Sequence, residues 1–108
     1  MHNALTLEAP PTMFDELAAI LEQSDYSFCL LSSDNVIRGV RRMDSACYDI
    51  THGPTSVQLW MERRIGNPTM IISVVPVRKS FLRRDLPSDR LAERIVGLLA
   101  AHGARNFG

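Results

Sequence analysis

Between Thr55 and Val77 an apolar residue recurs at every second position, Val57, Leu59 and Met61 before Gly66-Asn67-Pro68 and Ile72 and Val74 after it. That period marks a strand with one buried face, and Gly-Asn supplies residues that tolerate the backbone of a turn. The arms Thr55–Arg64 and Thr69–Val77 therefore predict a β-hairpin. Pairing about its turn puts Val57, Leu59, Met61, Ile72 and Val74 on one face, and Gln58, Trp60, Glu62, Ile71, Ser73, Val75 and Val77 on the other. Pro76, which has no N–H to donate, belongs at a strand end or edge.

A second hairpin is expected from Tyr26–Ser33 and Val36–Met43, which flank Asp34-Asn35. Both central residues tolerate a left-handed backbone, although Asn-Gly is the stronger turn signal. Asp44–Pro54 reads as an irregular link that His52-Gly53-Pro54 terminates. Helical spacing appears twice. Met13, Leu17, Ile20 and Leu21 predict a helix over Met13–Gln23, with Thr12 as its cap and Asp15 and Glu16 in its first turn. Leu91, Ile95, Leu98 and Leu99 predict another, opened by Pro87-Ser88, with Ser88 as cap, and stopped by Gly103. Ala4–Glu8 is either a short edge strand or an unstructured lead, and Ala104–Gly108 reads as a loose tail.

The expected fold is α+β: a two-layer sandwich in which an N-terminal and a C-terminal helix cover one face of a four-stranded, mainly antiparallel sheet. At 108 residues the chain makes one domain spanning 1–108, large enough for its own core. The order helix, four strands, helix is broadly similar to that of several families of small homodimeric secretion chaperones. The likeness is one of element order and is carried by no motif.

Two helices shield one face of such a sheet and leave the other open. The open face would carry Trp60, Ile71, Val75 and Val77, with Leu31, Val36 and Val40 from the first hairpin and Arg38 and Arg42 at the rim. An exposed apolar patch of this kind marks an interaction site, and Trp and Arg are the residues enriched there. The expectation is a small non-enzymatic protein-binding domain, an adaptor, chaperone or inhibitor of a larger partner, that forms a homodimer through this second face.

Charge is distributed in blocks. Glu8, Asp15, Glu16, Glu22, Asp25 and Asp34 all precede the first basic residue, Arg38, and residues 37–84 then hold nine basic groups against Asp44, Asp49 and Glu62. Blocks of this kind serve self-association, a charged partner, or neutralisation within the fold. The basic doublets give an alternative function, a nucleic-acid-associated regulator using Arg63, Arg64, Arg83 and Arg84. That role requires the charges to share one surface.

Chemistry is sparse. The glycines never cluster into a phosphate loop, and the three histidines have no metal-ligand spacing. No cofactor or metal is expected. Cys47 and His52, with Asp44 or Asp49 nearby, make the one nucleophile–base combination and a third alternative, a cysteine-dependent enzyme. Two cysteines are too few for a disulfide scaffold, Met1–Pro11 lacks the pattern of a secretory leader, and no run reaches membrane-spanning length. These features predict reduced thiols in a cytoplasmic protein.

Overall fold

A computed structural model describes residues 5–39, 41–77 and 86–106. The side chains of Arg38, Arg41 and Leu86 lie outside that description, as do Val40 and the connector at 78–85 with Arg83 and Arg84. The elements are β1 (Leu5–Ala9), α1 (Met13–Gln23), β2 (Ser27–Arg38), β3 (Arg41–His52), β4 (Thr55–Arg64), β5 (Met70–Pro76), α2 (Leu86–Ala101) and β6 (Arg105–Asn106). The strands form one sheet in the order β2-β3-β4-β5-β1-β6, antiparallel at every pairing.

The α+β class is as expected, but the sheet has six strands rather than four. Leu5–Ala9 is neither an edge nor a loose lead: it pairs with β5 on one side and β6 on the other. Within Ala104–Gly108, expected as a loose tail, Arg105–Asn106 instead form β6, and residues 107–108 lie outside the described residues. Leu7 and Ala9 explain the difference, because both are buried on the helix side of the sheet and draw the segment in. The second hairpin also needs correction. Its turn lies after Arg38, with the pairing Arg38↔Arg41 and Gly39 at φ 62°, and Asp34 and Asn35 sit inside β2. Glycine takes the left-handed backbone without a Cβ clash, so it outcompetes Asp-Asn for the turn. Residues 44–52, expected to be irregular, continue β3 up to a second tight turn, where Gly53 also has φ 62°.

The core lies between the helices and one face of the sheet. Val57, Leu59 and Met61 of β4 and Met70, Ile72 and Val74 of β5 are fully enclosed, as the period-two reading of that hairpin requires. Leu17 and Leu21 of α1 and Leu91, Ile95 and Leu99 of α2 meet them from above. Neither expected helix cap is made as predicted. Thr12 is already helical at φ −64° and makes no side-chain cap bond, while Pro10 and Pro11 accept from Met13 and Phe14 in tight turns. Ser88 lies within α2, and its hydroxyl donates to the Val77 carbonyl at 2.9 Å, tying the helix to the end of β5.

Both helices end in the same way. Asp25 and Gly103, at φ 63° and 110°, follow α1 and α2, and the next N–H in each case reaches back to Leu21 or Leu99. This left-handed stop satisfies the last carbonyls of a helix. It turns the chain directly into β2 and β6.

Candidate functional site

Two places gather chemistry: the sheet face away from the helices, and the end of the sheet beneath the first turn of α1. The second is built around Arg63. Its position on β4 has the same parity as Val57, Leu59 and Met61, so its side chain rises on the helix side. Arg63 Nη2 and Nε donate to Asp44 Oδ2 at 2.8 and 3.2 Å, and Nη1 donates to Asp15 Oδ2 at 2.9 Å and to the Pro11 carbonyl at 3.2 Å. The guanidinium also lies over the Phe14 ring, 4.5 Å from its centroid. Arg42 Nε donates to the other Asp44 oxygen at 3.3 Å.

Asp44, with its side chain only 7% exposed, is therefore held by two arginines. The bonds from Arg63 hold its carboxyl below the ordinary 3.8, burial works against them, and Arg42 adds to the lowering. A carboxyl lowered on folding stabilises the fold above its unfolded pKa, and that contribution disappears as the pH falls through the folded value. The urea midpoint of the wild type should therefore exceed that of Asp44→Asn by a constant margin from pH 7 down to about 5. The margin should shrink below about pH 4, where the unfolded-state carboxyl begins to protonate. A gap unchanged at pH 3 would refute this account of Asp44.

This cluster answers the question raised by the charge blocks. Asp15 of the acidic block meets Arg63 of the basic block, and Glu8 meets Arg105 at 2.8 Å. Arg64 bonds Glu62 at 3.0 Å. Arg63 and Arg64 stand on opposite faces of β4, each beside a carboxylate, so they form no common phosphate surface. Arg83 and Arg84 lie outside the described residues.

The other face is organised by register. One row across the sheet reads Thr6, Ser73, Trp60, Cys47, Ser32. Trp60 is thus centred on β4 between two small neighbours and is 49% exposed. Ile71, Val75 and Val77 line the β5 side of it, each half-buried. No described segment packs over this face. Its β2 and β3 side is hydroxyl-rich and carries Asp34 and Asp49, and neither makes an ion pair among the described residues.

Of the two arginines expected at its rim, Arg42 is not on this face. Arg42 lies on the helix side with Asp44, because the turn falls at Gly39 and the register of β3 changes with it. Arg38 remains on the open-face side of the register, its side chain undescribed. Leu31 is taken out of the alternation by a bulge between Leu30 and Ser32. Sequence reasoning named Asp44 only as a neighbour of Cys47 and missed its pairing with Arg63, 19 residues away and identifiable only once β3 is recognised as a strand. The alternation Ala46, Tyr48, Ile50 was the available signal.

Cys47 and His52 do not form a catalytic pair. They stand five residues apart on a continuous strand and so point to opposite faces. Cys47 is 1% exposed, and burial, with the charge of Asp49 adding, pushes its thiol up. His52 is exposed and packs edge-on against Tyr26, 5.9 Å between centroids. Ellman's reagent should therefore titrate one thiol quickly, the exposed Cys29, and Cys47 only after denaturation. Two fast thiols in the native protein would contradict this placement.

Among the described residues, no helix is long and apolar enough to cross a membrane, and no three His, Cys, Asp or Glu side chains are grouped to hold a metal. No protein-family model, curated protein or solved structure matches the chain.

Proposed function

We propose that this chain is a non-enzymatic protein-binding domain whose contact surface is the open face of the sheet. The observation that carries this reading is Trp60, a large aromatic left half exposed at the middle of a face that no described segment packs over. A central aromatic flanked by half-buried aliphatic side chains is the usual anatomy of a binding hot spot. Ile71, Val75 and Val77 provide the apolar flank, and the opposite side is polar, with Asp34, Asp49 and several hydroxyls. The matching partner surface is apolar at its centre and polar on one flank. The alternatives have less support, since Arg63 is engaged by Asp44 and Asp15 and Cys47 faces away from His52.

The test compares wild type with Trp60→Ala for what each retains on purification, whether another copy of the chain or a different protein. A hot-spot tryptophan is worth at least about 2 kcal/mol, so the variant should bind roughly thirtyfold more weakly. Equal retention at equal folded stability would end this reading.

A further inference from the structure

The sheet has two very different edges. One ends in β6, only two residues long, with Arg105 bonded to Glu8. The other is β2, twelve residues long and, among the described residues, paired only to β3. Natural edge strands are blunted by Lys, Pro, extreme shortness or a covering segment. From Ser27 to Ile37 this edge has no proline and one charge, Asp34. Its only described protection is the bulge at Leu31. Leu30, Leu31 and Ile37 are 49%, 52% and 67% exposed, so this hairpin holds half of the exposed large hydrophobic residues among those described. Backbone groups along such an edge are satisfied within a sheet only by another strand.

One strand whose register fits the whole edge is a second copy of β2. Of the twelve residues of β2, Leu31 is the one that skips pairing, which leaves eleven positions with Ser33 at the centre. An antiparallel copy of β2 placed on a two-fold axis through Ser33 overlaps the full length. It also obeys the rule that paired residues share a face. Phe28 then faces Ile37 of the second copy on the helix side, and Cys29 faces Val36 on the open side. Asp34 faces the Ser32 hydroxyl, a hydrogen-bond donor, so no like charges oppose one another. Leu30 faces Asn35, the one indifferent pair. The face order is preserved because each copy carries the same bulge.

We propose that β2 pairs with β2 of a second copy of this chain about a two-fold axis at Ser33, joining two six-stranded sheets into one. Cross-strand apolar pairs supply the attraction, and the backbone ladder supplies direction. The edge is distinct from the open face, so this assembly does not rest on Trp60 and leaves it accessible.

Ser33 is exposed and lies on the axis, which makes it the probe. Light scattering should give twice the chain mass for wild type and for Ser33→Thr. Ser33→Lys sets two ammonium groups opposite each other across the axis, and should raise the dimer dissociation constant at least tenfold with unchanged far-ultraviolet circular dichroism. In a Cys29→Ser background, Ser33→Cys should oxidise to a covalent dimer, whereas Ile65→Cys, exposed elsewhere, should not. A wild type that is monomeric throughout overturns the proposal, including the case in which only a foreign strand occupies the edge. So does a dimer that Ser33→Lys leaves intact. If Trp60→Ala dissociates that dimer, self-association belongs to the open face and the proposed function survives without the edge.

Discussion

Replacing Arg63 with alanine is expected to lower the stability of the domain by about 3 kcal/mol, the lower end of the range for breaking a buried ion pair. The loss arises from what remains. Asp44 stays enclosed and keeps only the 3.3 Å bond from Arg42, itself half exposed. The Pro11 carbonyl and the face of Phe14 lose their partner in the same step. The lower end of the range applies because the cluster sits at the end of the sheet and Arg42 brings solvent to it. For a domain near 100 residues this corresponds to a melting temperature lower by more than about 10 °C. Asp15→Ala should cost less than about 1 kcal/mol, since Asp15 is 71% exposed and its attraction is screened. Paired urea titrations of both variants decide the matter: an Arg63→Ala protein within 1 kcal/mol of wild type would show that the cluster contributes little.

Leu59→Ala should cost a comparable amount, about 3 kcal/mol, from lost burial and the cavity left behind. Leu59 is completely enclosed, opposite Tyr48 on one side and Val74 on the other, beneath the helices. Its neighbour Trp60 points the other way. Truncating Trp60 should change stability by no more than about 1 kcal/mol while it weakens binding. Two adjacent positions on one strand thus separate folding from recognition. Urea midpoints together with a binding measurement test the pair, and a Trp60→Ala protein as unstable as Leu59→Ala would move Trp60 from the contact surface into the folding core.

The sequence was most readable where burial alternates cleanly. The β4–β5 hairpin, its two faces and the span of α1 follow from Val57, Leu59, Met61, Ile72 and Val74 and from the Met13–Leu21 spacing. It was least readable in β3, where the residue that begins the buried side is a carboxylate. Asp44 looks like a loop residue until Arg63 is brought next to it by the fold. The same long-range dependence hid β1 and β6, whose few residues carry little pattern of their own and gain their place by pairing with β5 and with each other. The turn at Gly39 was decided by one backbone dihedral, and moving it five residues from Asp34-Asn35 sent Arg42 to the opposite side of the sheet.

β1 carries a kinetic consequence. It precedes β2 to β6 in the chain, yet its ladder to β5 links Leu5 to Val74, and β6 reaches it from residue 105. The β2–β4 meander can close as soon as each tight turn emerges, because its partners are adjacent in the chain. β1 must wait, and loops that long close against a larger entropic cost. Local hairpins should therefore gain amide protection first in a refolding pulse-labelling experiment. Leu7 should be protected last, when β1 and β6 knit onto β5 and each other and lock the barrier to unfolding in place.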